Sequence, residues 1–264
     1  MAKNYGLHII IGDNGMGKTF YTHIVKIYNI WSRLGEKLFW FKSKRKKVRI
    51  GNYTSPDFDI IYRSRDDLVK VIQRIIGTKT NPKNEYIDYE IVCDEVHKYF
   101  SNRDFKNFPQ DVTDFLSEVR KQDTTFYGLS PRMLLIDTVL RRMSYTIMQF
   151  CRILFFFRYV KTYKLIREDS SVLEDETVAE KISTIPLVPI WIISYFLRLY
   201  TKYTRRYDSK EIIFTKISIL HMYPDEYLDS LFPDPIYIKT SDEAYEFTKQ
   251  KVLSFEKPKE EKKK

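Results

Sequence analysis

The chain has 264 residues, 43% of them hydrophobic and 30% charged, with 8 glycines, 10 prolines and 2 cysteines. This is a globular composition, and it excludes a small disulfide scaffold, a collagen-like chain and an extended disordered polymer. Lysine and arginine number 45 against 35 acids, a formal charge of +10, which favours phosphate-rich partners or an anionic membrane face without choosing between them.

Residues 5–11, Tyr-Gly-Leu-His-Ile-Ile-Ile, form a short apolar run that reads as a buried parallel strand. A glycine loop, residues 12–17, follows. Phe20, Ile24, Val25, Ile27, Tyr28 and Trp31 then recur at helical spacing until Gly35. Residues 37–41 are expected as a second strand and 58–62 as a third. A periodic helix over 66–76 is expected to stop at Gly77, followed by a loop over 78–85. Residues 89–93 form the next buried strand and end at Asp94-Glu95. Beyond an irregular basic stretch, a helix over 111–121, a strand over 124–129 ended by Pro131, and a helix over 134–143 are expected. Residues 147–166 read as one or two closing strands.

This alternation predicts an α/β fold: a P-loop NTPase core with a mostly parallel sheet flanked by helices, plus a smaller C-terminal extension. The expected division is a core over 1–167, an acidic connector over 168–181, an extension over 182–250 and a charged tail over 251–264. Residues 182–197 carry no charge. The stretch is shorter than the roughly 20 residues of a spanning helix, and Pro186 and Pro189 interrupt it. A buried core segment is therefore expected ahead of a membrane-surface or partner-docking helix, and a true span last. No secretory signal opens the chain, so a reducing cytosol is the expected compartment.

Gly12-Asp-Asn-Gly-Met-Gly-Lys-Thr19 fits G-x-x-x-x-G-K-[ST] between a strand and a helix. Wrapped around a polyphosphate, the backbone N–H groups of Gly12, Asp13, Asn14, Gly15, Met16, Gly17, Lys18, Thr19 and Phe20 would face the anion at a helix N-terminus. Lys18 would neutralise the β- and γ-phosphates of ATP, and the Thr19 hydroxyl would ligate Mg²⁺. Ile91-Val-Cys-Asp94-Glu95 delivers two acids at a strand's C-terminal end, where open α/β sheets bind ligands. Asp94 would hold Mg²⁺ through water and Glu95 would polarise the attacking water. The pair of acids favours hydrolysis over nucleotide storage.

Taken with Val92-Cys-Asp-Glu-Val-His-Lys-Tyr-Phe100, Leu116-Ser-Glu-Val-Arg120, Phe126-Tyr-Gly-Leu-Ser130-Pro131 and Ile136-Asp137, the series over residues 5–167 resembles the Zot-like ATPases. These are filamentous-phage assembly proteins related to FtsK/HerA motors and viral DNA-packaging ATPases. The resemblance implies an additional-strand P-loop fold, DNA as partner, a homo-oligomeric ring, and the infected host's cytoplasm as location, with inner-membrane association or carriage in the virion as variants. A membrane or capsid-vertex partner would dock through 182–206. Arg103 and Arg120 are candidate arginine fingers, with Arg103 preferred. Ser130 is the candidate sensor, standing where the family strand ends in Thr-Gln; Val96-His97-Lys98 replaces the family's Ala-His-Arg.

The segment over 42–49 holds six cations in eight residues, Lys42, Lys44, Arg45, Lys46, Lys47 and Arg49. It reads as a loop, either solvated or, with Trp40, Phe41 and Tyr53, in contact with a phosphate backbone; Arg205 and Arg206 would add to such a surface. Cys93 reads as a small buried strand residue, since Cys93 and Cys151 lack the histidine support of a zinc site. The expected activity is ATP hydrolysis that moves viral DNA during packaging or virion assembly. A membrane-associated extrusion ATPase, a small-molecule kinase and a non-hydrolysing structural subunit are the rivals.

Overall fold

The structure is a computed structural model that describes residues 5–27, 45–84, 86–100, 108–152, 158–165, 179–186 and 214–233. Strand β1 (Gly6–Ile11) leads through the glycine loop into α1 (Lys18–Tyr21), which continues as a π-helical turn, Thr22–Ile27. Then come β2 (Lys46–Gly51), β3 (Ile60–Ile61), α2 (Arg65–Thr80), β4 (Ile87–Cys93), α3 (Val96–Tyr99), α4 (Gln110–Glu118) and β5 (Thr124–Ser130). The order closes with α5 (Thr138–Met143), β6 (Thr146–Arg152), β7 (Arg158–Leu165), β8 (Ala179–Pro186) and α6 (Asp225–Leu231).

The eight strands form one sheet in the order β3-β2-β4-β5-β1-β6-β7-β8. Pairing is parallel from β3 through β6 and antiparallel for β7 and β8. Strand β5 lies between β1 and β4, so the strand before the glycine loop and the strand before the acid pair are separated by an additional strand. Their registers, Ile11↔Ser130 and Cys93↔Gly128, bring all three C-terminal ends to one edge. Alternation fills both faces of the sheet. Leu7 and Ile9 join Ile91, Cys93 and Phe126 under α2 and α4, while Ile10 joins Val92, Tyr127 and Leu129 under α1.

Several expectations change. Residues 28–44, including the expected strand over 37–41, lie outside the described residues, as do Lys42 and Lys44. The run over 42–49 is not a loop where it is described: from Lys46 it is β2. Its cations obscure a period of two in which Val48 and Ile50 enter the core while Lys47 and Arg49 turn to the other face. There Lys47 Nζ lies 2.7 Å from Glu90 Oε1 and Arg49 Nε 3.3 Å from Glu90 Oε2. Arg45 pairs with Asp88 and Asp123, and Lys46 donates to the Ser230 carbonyl. These cations are committed to partners in the fold.

Gly77 does not stop α2, which runs to Thr80 and is capped at the other end by a box in which Ser64 and Asp67 exchange side-chain-to-backbone hydrogen bonds. Gly77 is buried within the helix, and Asn81 takes the extended terminal conformation. The helix expected over 134–143 is split, because the Asp137 carboxylate accepts the Val139 N–H at 2.7 Å and starts α5 afresh after a 3₁₀ turn, Met133–Leu135.

Strand β8 crosses the expected boundary at 181/182: Ser183 to Pro186 pair with β7, and Ile182 falls at a register shift; residues 187–213, Arg205 and Arg206 among them, lie outside the described set. No helix among the described residues is long and apolar enough to cross a membrane. Residues 214–233 pack on the sheet: Leu220, Leu228, Leu231 and Phe232 enter the same core as α2 and α4. Their anchor is buried Asp67, which accepts from the Ser218 hydroxyl, from Ile219 N–H at 3.1 Å and from Leu220 N–H at 3.3 Å.

Candidate active site

The glycine loop turns between β1 and α1 at the C-terminal edge of the sheet. Gly12 has φ +152°, and a β-carbon there would lie 2.6 Å from Phe150 Cβ on β6, so the close passage requires glycine. Gly17, with φ 87° and ψ 23°, sets the left-handed entry to α1. Asp13, Asn14 and Gly15 form the exposed crest. The Met16 and Phe20 side chains enter the apolar core, leaving those two residues only their backbone groups to offer a ligand.

Lys18 is buried, and its ammonium folds back to donate to the carbonyls of Gly12 at 2.5 Å and Asp13 at 3.1 Å. Burial pushes its pKa down, against the opposing pull of Asp94, Glu95 and Asp13. The neighbouring Thr19 Oγ1 donates to Asp94 Oδ2 at 2.8 Å. That single contact joins the two motifs, 75 residues apart in sequence.

Asp94 is buried, and burial raises its carboxyl pKa, with the Glu95 charge adding and the Thr19 hydroxyl, Glu95 N–H and Lys18 opposing. Its backbone is clamped by Asn52: Asp94 N–H donates to Asn52 Oδ1 at 2.8 Å, and Asn52 Nδ2 donates to Asp94 O at 2.7 Å. Glu95 then takes φ 54° and ψ 45°, a left-handed conformation uncommon for a non-glycine residue, and opens α3. Its Oε2 lies 3.4 Å from His97 Nε2.

The structure therefore gathers Lys18, Thr19, Asp94, Glu95 and Ser130 at one edge. Ser130 is fully buried; its Oγ lies 3.4 Å from His97 Nδ1 and 3.0 Å from the Arg132 carbonyl oxygen, and its one hydroxyl proton can serve only one of the two. Arg120 is not brought there. It sits in an exposed turn just after α4, its guanidinium 5.9 Å from the Tyr145 ring centroid, and Tyr145 N–H donates to Leu7 O near the start of β1. That is the opposite end of the sheet, about 20 Å from the loop at roughly 3.3 Å per strand residue, so Arg120 is remote from the site of its own chain. Arg103 lies outside the described residues.

Sequence reasoning missed Asn52, because its signal depends on β2: Gly51 pairs with Val92, which brings the Asn52 side chain within reach of the Asp94 backbone. A divalent cation fits the donor set. A hydroxyl and a buried carboxylate already converge, and burial, with the Glu95 charge adding, disfavours the ionised Asp94 carboxylate that a cation would stabilise. Among the described residues no cluster of three or more His, Cys, Asp or Glu side chains forms a separate metal site.

No protein-family model matches the chain, and no curated protein matches it. Solved structures do. The N-terminal domain of zonular occludens toxin from Neisseria meningitidis is similar at 15% identity and TM-score 0.40, over 67% of this chain and 93% of that one. The DNA-packaging ATPase of Sulfolobus turreted icosahedral virus is similar at 11% identity and TM-score 0.45, over 67% and 97%. The genome-packaging NTPase of Sulfolobus turreted icosahedral virus 2 in complex with AMP gives 10% identity and TM-score 0.44, over 69% and 98%. The fold of the chain itself is α/β, a mostly parallel sheet flanked by helices with the glycine loop between β1 and α1.

Proposed function

We propose that this chain binds ATP with Mg²⁺ at the glycine loop and hydrolyses it to move viral DNA during genome packaging or virion assembly. The observation that carries the enzymatic part is the Thr19–Asp94 hydrogen bond, with Glu95 next in line at the head of α3. Lys18 exchanges its two loop carbonyls for the β- and γ-phosphate oxygens, so its buried charge is held ready by weak partners rather than by a carboxylate. Thr19 directly and Asp94 through water would hold the cation, which would supply charge withdrawal from the phosphates. Glu95 accepts a proton from the attacking water. The water oxygen forms a bond to the γ-phosphorus as the bond to the β–γ bridging oxygen breaks, giving ADP and inorganic phosphate.

The motor part rests on the motif series over residues 5–167 and its Zot-like resemblance. It carries with it a homo-oligomeric ring in which an arginine, Arg103 by preference, completes the neighbour's site, and a cytoplasmic location in the infected cell. ATP turnover by purified protein, with and without DNA, tests the reading. Lys18→Ala should abolish nucleotide binding or turnover. Glu95→Gln should still bind ATP while hydrolysis falls by roughly two to four orders of magnitude. Unchanged hydrolysis in either variant would remove the assignment, and DNA that neither binds nor stimulates turnover would remove the motor.

A further inference from the structure

We infer that His97 is a positioning residue for Glu95, presenting an Nε2–H to its carboxylate in a tautomer set by Ser130. This rests on the reading of Glu95 as the general base. The imidazole lies between two groups from different strands: Glu95, just after β4, at 3.4 Å from Nε2, and Ser130, the last residue of β5, at 3.4 Å from Nδ1. Helix α3 can sit this close to β5 because Gly128 has no side chain. A β-carbon there would come within 3.2 Å of Val96 Cγ2. The bridge is therefore fixed by the packing of α3 on the strand, not by side-chain reach alone.

Hydrogen inventory selects the tautomer. Ser130 has one hydroxyl proton. If it goes to the Arg132 carbonyl, His97 must bring Nδ1–H to Ser130, and a neutral ring then turns a bare Nε2 toward the Glu95 carboxylate, acceptor against acceptor. If it goes to His97 Nδ1, the ring carries Nε2–H and donates to Glu95 Oε2. The negative carboxylate favours the second arrangement. Burial holds the imidazole pKa below its ordinary value, against the pull of Glu95 and assisted by Lys98, so the neutral ring is the form to consider.

The consequence is mechanical. Glu95 stands on a left-handed backbone at the start of a one-turn helix, and its side chain is only half-buried. Engaging Oε2 selects one orientation and aims Oε1 at the attacking water. Ser130, shorter than the glutamine that the Zot-like resemblance implies there, acts through the imidazole, which adds length.

The test is steady-state ATP hydrolysis by the full chain carrying His97→Gln, His97→Asn or His97→Ala, with kcat and KM resolved and thermal melting recorded. A glutamine amide nitrogen falls near the position of Nε2 and an asparagine amide near Nδ1. Glutamine therefore restores a donor to Glu95, and asparagine restores only the Ser130 contact. The expected result is a kcat loss of up to about 100-fold in the alanine and asparagine variants, as for a misplaced catalytic group. KM for ATP should be unchanged, and kcat should be substantially recovered in His97→Gln. Wild-type kcat in His97→Ala, or a glutamine variant no better than the asparagine one, overturns the inference. Glu95→Gln run alongside separates the two readings. If it still turns over, the base assignment has failed; if it is inactive while His97→Ala is fully active, only the positioning role has.

Discussion

Replacing Asn52 with leucine removes both hydrogen bonds that clamp the backbone of Asp94, at nearly constant side-chain volume. Asn52 is completely buried and Asp94 is only 4% exposed, so water has no ready access to the N–H and C=O left behind. An unsatisfied buried polar group costs about 1–3 kcal/mol. Two of them give a loss of about 2–6 kcal/mol, a large fraction of the total stability of an ordinary domain. The damage should not stop at stability. Asp94 Oδ2 meets Thr19 only because its backbone is held at the end of β4, so the free Mg²⁺ needed for half-maximal ATPase activity should rise. Urea denaturation gives the first quantity and a Mg²⁺ titration of turnover the second. Asn52→Ala is the internal control: its smaller side chain leaves room for water to take the two bonds, and its loss should be smaller than that of leucine. Leucine-variant stability within about 0.5 kcal/mol of wild type, together with an unchanged Mg²⁺ titration, would refute the reasoning.

Gly128→Ala introduces a methyl within 3.2 Å of Val96 and should destabilise by about 1–3 kcal/mol as overpacking. Its kcat should fall at temperatures where circular dichroism finds the chain fully folded, because α3 carries Glu95 and His97; full activity in the folded variant would count against that placement. Neutralising Lys47 and Arg49 together strands the Glu90 carboxylate and should lower stability by about 1–3 kcal/mol, discounted for the partial exposure of the cations. The log-log salt slope of DNA binding should stay put, whereas removing a cation that neutralises a DNA phosphate would reduce it by about 0.7–0.9. Asp67 predicts an acid-labile anchor for residues 214–233: burial raises its pKa, but hydrogen bonds from Ser218, Ile219, Arg63 and Ser64 prevail and hold it below the ordinary value. Its contribution is therefore present above the unfolded aspartate pKa and is lost as pH falls through the folded one. Stability measured from about pH 5 downward should fall more steeply in wild type than in Asp67→Asn, and parallel curves would contradict this.

The loop, the acid pair and the mostly parallel character of the sheet were legible because the motifs and the strand-helix alternation are written in local runs of residues. Gly12 to Thr19 carries its own spacing, and apolar runs such as 89–93 end where the chemistry begins. What stayed hidden depends on pairing across the chain. Strand β2 reads as a charged loop until Glu90 is opposite Arg49. Gly77 reads as a helix stop until α2 buries it, and 214–233 reads as an appendage until Asp67 receives its backbone. Asn52 and the Glu95–His97–Ser130 bridge belong to the same class, since neither exists before the register of β4 with its neighbours is set.

Charge is handled differently across the sheet, and the difference separates function from support. At the N-terminal end of β4 and along its flank, Arg45 meets Asp88 and Asp123, Lys79 meets Asp123, and Lys47 and Arg49 meet Glu90. Each of these four cations has a carboxylate within 3.3 Å. At the C-terminal edge Lys18 rests on two carbonyls instead, Asp94 on a hydroxyl and an amide, and Glu95 on a left-handed backbone. Burial pushes the Lys18 pKa down and the Asp94 pKa up, in both cases toward the neutral form. A fold that pairs its charges closely on the flank could have paired Lys18 with Asp94 as well. Leaving them apart keeps an ammonium available for an anion and a carboxylate for a cation, which is the combination that a nucleotide polyphosphate and its metal supply together.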